Sequence, residues 1–250
     1  MRGWVTRGLK AVADLLLPRV CIACGRKLLL DEKHLCGPCL SDLPQTRFWT
    51  WKFNPMADRF NEVIQRHLEK KWVNGGPNER YAFAAALFFY DTESGYRHIP
   101  YQIKYHGNLS AGRHFGNMLG ERLSLAPWFA DVDVVIPVPL HPRRKWSRGY
   151  NQAAIIARAV AEALAVPVRE DILSRTRHTA TQTKLDIEEK ASNVKGAFAA
   201  SSDETFGHVL LVDDVFTTGS TIGECFQALR KVFPPEVRIS VATLGFVGEV

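Results

Sequence analysis

Residues 209–221 read VLLVDDVFTTGST, and the residue types in that order suggest one chemistry. Asp213 and Asp214 follow four aliphatic residues, and adjacent carboxylates suit vicinal hydroxyls, which can donate hydrogen bonds to them. Thr217, Thr218, Gly219, Ser220 and Thr221 then offer hydroxyls and backbone N–H groups at the start of an expected helix, surroundings that suit a phosphate. A diol and a phosphate in one loop describe a ribose 5-phosphate. The plainer alternative is a strand end, a turn and a helix cap. It is weakened by the order of apolar strand, acid pair, hydroxyl loop and helix.

A second constellation lies near the N-terminus. Cys21, Cys24, Cys36 and Cys39 form two CxxC pairs with eleven residues between them. Gly25 and Gly37 let the chain turn directly after a ligand. Four thiolates converging on one ion point to tetrahedral Zn2+, and a closed four-ligand set is structural rather than catalytic. Disulfides are the alternative, disfavoured in a cytoplasmic chain. His34 is a possible substitute ligand but reads as a loop residue. Cys225 shares a helical stripe with Ile222, Phe226 and Leu229 and reads as core.

The elements that must position these groups follow from periodicity. Strands are expected at 81–90, 132–140, 171–175, 196–200, 209–213 and 238–246. Helices are expected within 94–106, despite Pro100, and at 109–125, 151–164 and 221–232. In the third of these, Asn151 is a possible N-cap, with Ala153, Ile156, Ala157, Val160 and Leu164 inward. Short apolar strands alternating with helices predict an α/β fold with a mainly parallel central sheet, at whose carboxyl edge ligands bind. Residues 47–77 carry aromatics and mixed charge without a clear period, and NGGPN at 74–78 reads as a turn.

At 250 residues, one large domain with a small module fits. The first twenty residues read as a short amphipathic helix rather than a signal peptide, since Lys10 and Asp14 interrupt the apolar run. No apolar stretch approaches eighteen residues, so no membrane span and a cytoplasmic location are expected. The net charge of +6 and pI near 9.1 suit a mildly basic protein, or attraction to nucleic acid or phosphorylated small molecules. Because the cations are spread along the chain, charge alone slightly favours the former.

VLLVDDVFTTGST resembles the 5-phosphoribosyl-pyrophosphate (PRPP) motif of type I phosphoribosyltransferases. Nearly the whole chain resembles the ComF family (ComFC or GntX-like), through the double CxxC, IKYHG (103–107), VIPVPLHPRRKWSRGYNQA (135–153) and RTRHTATQTKLDIEEKASNVKGAF (175–198). The resemblance implies a helix and a four-cysteine, zinc-ribbon-like module at 1–45, a connecting or hood segment at 46–80, and a phosphoribosyltransferase-like domain at 81–250. Asp213 and Asp214 would hold the ribose hydroxyls of PRPP, and Thr217 to Thr221 its 5-phosphate. Arg143 and Arg144, with Lys145, would meet the pyrophosphate as catalytic groups, and Arg148, Gly149, Tyr150 and Asn151 would position that loop. Arg175, Thr181, Gln182, Leu185 and Asn193 would belong to a flexible flap, in which Lys190 stands where many relatives have Arg.

Mg2+ would accompany PRPP, held by pyrophosphate and ribose oxygens. Thr217 stands where salvage enzymes for 6-oxopurines usually carry Asp, so that acceptor class is not expected; the true acceptor is not indicated. One reading is therefore an enzyme that transfers phosphoribose with loss of pyrophosphate. The other is a non-catalytic protein of DNA uptake and natural transformation, handling single-stranded DNA and meeting uptake-machinery proteins. Phe48, Trp49, Trp51 and Phe53, interleaved with Arg47 and Lys52, would supply base stacking. Aromatics between two domains more often seal an interface. An inactive scaffold is disfavoured by the intact acid pair.

Overall fold

A computed structural model describes residues 18–71, 79–176 and 196–248. Its centre is a four-stranded, all-parallel sheet of β1 (Ala84–Phe89), β2 (Val134–Pro137), β5 (His208–Phe216) and β6 (Arg238–Phe246), in the order β1-β6-β5-β2. These strands are buried almost without interruption, which is why they read as continuous apolar runs rather than as alternating ones. A two-stranded antiparallel ribbon pairs β3 (Leu173–Arg175) with β4 (Phe198–Ala200). The expected α/β class and parallel sheet are both present.

Among the described residues the α-helices are α1 (Gly37–Ser41), α2 (Pro55–Lys71), α3 (His98–Tyr105), α4 (Leu109–Ser124), α5 (Pro142–Arg148), α6 (Gln152–Leu164) and α7 (Ser220–Leu229). Asn151 caps α6 as expected, its side chain accepting from Ala153 N at 3.1 Å. Pro100 falls in the first turn of α3, where a missing N–H leaves no helical bond unmade, so the helix starts at His98 without a kink. The helix α2 was not expected. Asn54 accepts from Ala57 N at 3.0 Å, Pro55 opens the first turn, and Met56, Ala57, Phe60, Val63 and Ile64 are buried. Phe60 meets Phe226 of α7 edge-on at 6.0 Å, which sets α2 beside the hydroxyl loop.

The expected helix within residues 1–20 lies largely outside the described residues. Among the described residues, no helix is long and apolar enough to cross a membrane.

Candidate functional site

The pairing of β2 with β5 ends at Pro137 opposite Val212, so Asp213 and Asp214 carry β5 beyond its neighbour. On the other side Asp213 still pairs with Thr243 of β6, and the strand runs on to Phe216. The acid pair therefore lies within β5 but past the carboxyl edge of β2, in a notch formed by unequal strand lengths. Both side chains are buried. Burial and the adjoining Asp214 push Asp213 well above the ordinary carboxylate range.

An ammonium contacts this pair directly. Lys104 Nζ, on α3, lies 2.5 Å from Asp214 Oδ2. Burial opposes the ammonium charge, yet Asp214 and Asp213 together outweigh it and hold Lys104 above the usual lysine value. The residue stands inside IKYHG, but nothing in its sequence position distinguishes it from a solvated helical lysine.

The loop from Thr217 to Gly219 leads straight into α7. Gly219 has φ +78°, and a Cβ there would stand 2.9 Å from Phe216 Cζ and 3.2 Å from Val63 Cγ2. Glycine is thus required by both backbone and space. It caps α7 without a side chain, while Thr218 and Ser220 share a hydrogen bond at 2.8 Å. Ser220 N also donates to Thr218 Oγ1 at 3.4 Å, so the hydroxyls and amides that open α7 are gathered at one point, the kind of helix start that suits an anion. Arg59 of α2 fixes the loop from outside, donating to the carbonyls of Thr217 (3.2 Å) and Val247 (2.7 Å). Sequence reasoning missed Arg59 because it did not find α2.

After β2, the basic stretch forms the short helix α5 rather than an open turn. Asn151 ties its two ends together, donating to the Val138 carbonyl at 3.0 Å while capping α6. Tyr150 Oη donates to the Ile103 carbonyl at 2.5 Å, which joins this loop to α3. The guanidinium of Arg148 lies 5.4 Å from the Tyr105 ring centre. Burial and then Arg148 lower the pKa of Arg144; Arg143 and Lys145 are exposed.

Arg175 ends β3, its guanidinium 5.2 Å from the Phe198 ring centre. Burial and the charge of Arg144 lower its pKa, while Cys225 and Asp213 act in the opposite direction. Arg175, at the end of β3, thus feels the charges of both Asp213 and Arg144. Thr181, Gln182, Leu185, Lys190 and Asn193 lie outside the described residues.

The carboxylates have the right donor atoms for Mg2+, but Lys104 already occupies Asp214 Oδ2, so the acid pair does not present an open dication site. The four cysteines differ in this respect. Their Sγ atoms lie within 4.8 Å of one another, none is in a disulfide, and Cys24 Sγ is 3.7 Å from Cys36 Sγ. Zn–S bonds of about 2.3 Å in a tetrahedron set ligand sulfurs about 3.8 Å apart, so the cluster fits that ion. Gly25 makes the knuckle turn at φ +74°, its N–H bonding to the Cys21 carbonyl at 2.9 Å. His34 is not among the ligands; its Nε2 shares a hydrogen bond with Ser110 Oγ at 3.0 Å.

A profile of the phosphoribosyl transferase domain matches residues 150–245, a span that holds the acid pair and the hydroxyl loop. Over 110 residues the chain is 41% identical to Competence protein F of Haemophilus influenzae, covering 43% of this chain and 48% of that protein. Over 99 residues it is 38% identical to DNA utilization protein YhgH of Escherichia coli (strain K12), covering 40% and 44%. The chain thus spans about half the length of the curated relatives it matches. Among solved structures, it is similar to the glutamine PRPP amidotransferase of B. subtilis complexed with ADP and GMP. That match has 23% identity and a TM-score of 0.35, covering 53% of this chain and 26% of the other.

Proposed function

For a ComF-like chain with a phosphoribosyltransferase domain and a four-cysteine cluster, we propose that the notch beyond β2 binds a phosphoribosyl ligand, PRPP in the first instance. The observation that carries this reading is the buried acid pair placed directly before a hydroxyl loop that opens α7. Asp213 and Asp214 accept hydrogen bonds from the ribose 2- and 3-hydroxyls. Thr217 to Thr221 donate to the 5-phosphate. Arg144 and Arg175 then face the group on ribose C1, with Arg143 and Lys145 as outer cations drawing in a polyanion.

Transfer would form a bond from an acceptor to C1 as the C1–O bond to pyrophosphate breaks. The electron pair leaves with pyrophosphate, and the acceptor gives up its proton to solvent or product. The arginines stabilise the departing charge. Mg2+, if bound, would sit with the ligand rather than on the acid pair and would supply further charge stabilisation for the departing pyrophosphate. The four cysteines hold Zn2+, and the protein works in the cytoplasm.

Calorimetry with PRPP tests the site. Asp213→Asn/Asp214→Asn should weaken binding by about a hundredfold, since the neutral amides no longer accept strongly from the diol and upset the pairing with Lys104. Equal affinity in native and doubly substituted protein would sink the reading.

A second reading, contact with single-stranded DNA, is favoured by one feature. Trp146 on α5 is 89% exposed between Lys145 and Arg148, and exposed Tyr101 and Tyr105 pair their rings at 4.9 Å on neighbouring α3. The stripe expected from sequence is only partly available: Phe48 and Trp49 are buried, leaving Trp51 and Phe53 at the surface. Trp146→Ala should weaken oligonucleotide binding by about 1–3 kcal/mol, and that binding should fall steeply with salt. Binding that ignores both salt and Trp146 would remove DNA from the account.

A further inference from the structure

We propose that Lys104 is the built-in counter-ion of the acid pair, so that a phosphoribosyl ligand binds here without a divalent metal. This rests on the phosphoribosyl reading of the notch and goes beyond it by assigning the metal requirement of binding to one residue.

Two carboxylates and a phosphorylated sugar repel one another, and some cation must offset that repulsion. A dication carried on the ligand's oxygens is one means; at the acid pair itself the structure supplies an ammonium. Asp214 has a side chain 5% exposed and one oxygen 2.5 Å from Lys104 Nζ. Asp213 Oδ1 accepts from Asp214 N at 2.8 Å. The protein thus engages one oxygen of each carboxylate, Asp214 Oδ2 and Asp213 Oδ1, and a pair of vicinal hydroxyls needs one acceptor apiece.

The ammonium is held by more than its own charge. Ile99, Pro100 and Ile103 bury α3 against the body, and the Ile103 carbonyl accepts from Tyr150 of the basic loop. Lys104 thus stands at the junction between the acid pair and the loop that carries Arg144. From there it offsets the carboxylates and adds attraction for an anionic group on ribose C1.

The experiment is calorimetry of ribose 5-phosphate and of PRPP in buffer without divalent ions or chelator, then with added Mg2+. Native protein should bind both ligands metal-free. Lys104→Met should weaken metal-free PRPP binding by roughly thirtyfold or more, with Mg2+ restoring part of the loss, while Lys104→Arg should stay within about tenfold of native. Thermal melts establish that the variants are folded. Lys104→Met matching native protein without metal overturns the proposal, as does a native protein that binds only with Mg2+. If Lys104→Met does not fold, the metal requirement of native protein decides alone. Native protein that binds neither ligand, with or without Mg2+, overturns the phosphoribosyl reading itself and this inference with it.

Discussion

Gly120→Val is expected to destabilise the protein by about 3 kcal/mol, near the upper end for overpacking a well-filled contact. Gly112, Gly116 and Gly120 recur every fourth residue along α4 and form the face on which α6 lies. A Cβ at Gly120 would come 2.7 Å from Ala163 Cβ and 3.0 Å from Val160 Cα; one at Gly116 would come 2.8 Å from Ala159 Cβ and 3.0 Å from the Ile156 carbonyl oxygen. These neighbours are backbone atoms or the short stubs next to them, so no rotamer change relieves the overlap and the helices must part.

Helix propensity works the other way, since replacing glycine by alanine inside a helix gains about 1 kcal/mol. The two effects have different winners along the stripe. At Gly112 the nearest atom is the Ile155 Cγ2 methyl at 3.0 Å, with no backbone atom among the close neighbours, the mildest overlap of the three, so Gly112→Ala should be close to neutral. At Gly116 and Gly120 the overlap exceeds the gain. Denaturant midpoints at constant slope measure the differences. Gly120→Val as stable as native protein, or Gly112→Ala worse than Gly120→Ala, would show that α4 and α6 do not pack this closely.

This stripe also shows where the sequence was readable and where it was not. The helix at 109–125 was expected from its apolar period, yet glycines count against a helix by propensity, and only the partner helix makes them useful. The parallel sheet was legible because its strands are buried on both faces and stay apolar throughout. The segment holding α2 had an available signal, Asn54-Pro55 followed by apolar residues at helical spacing, with Arg59, Glu62, Arg66 and Glu69 on the opposite face; it was obscured by the aperiodic aromatics at 48–53 just before it.

The acid pair and hydroxyl loop were legible because they adjoin in sequence. Lys104 was not, because it stands 110 residues from Asp214 and becomes special only when α3 docks beside β5. The aromatic stripe at 48–53 is only half at the surface for a related reason. Composition shows that aromatics are present, but only packing shows that Phe48 meets Phe89 and Phe246 edge-on inside the core.

Gly95→Ala should loosen the proposed zinc site without touching a ligand. A Cβ at Gly95 would lie 2.4 Å from the carbonyl oxygen of Ala23, between Cys21 and Cys24, and that knuckle would have to move. The next residue reinforces the contact, Tyr96 Oη donating to the Cys39 carbonyl at 2.9 Å. Among the described residues of 18–45, the buried aliphatic side chains are Leu28, Leu35 and Leu43, too few to order the segment by burial alone. A structural zinc supplies folding free energy on the order of 10 kcal/mol in such small modules, so a zinc bound by the four cysteines would contribute most of the stability of this segment.

Cys36→Ser should therefore abolish stoichiometric zinc and melt residues 18–45, seen as lost hydrogen-exchange protection there. Gly95→Ala should keep the metal but release it to a chromogenic chelator roughly tenfold faster, the effect of about 1–2 kcal/mol of steric conflict. Tyr96→Phe should fall between that and native, since one hydrogen bond contributes about 1 kcal/mol. Native release kinetics in Gly95→Ala would show that the knuckle does not rest on this turn. Gly95 and Tyr96 also lead directly into α3, which sets Lys104 against Asp214. Loss of zinc should accordingly weaken phosphoribose binding as well as the module. Cys36→Ser with native PRPP affinity would instead make the cysteines a local staple, with the notch built entirely by the sheet and its helices.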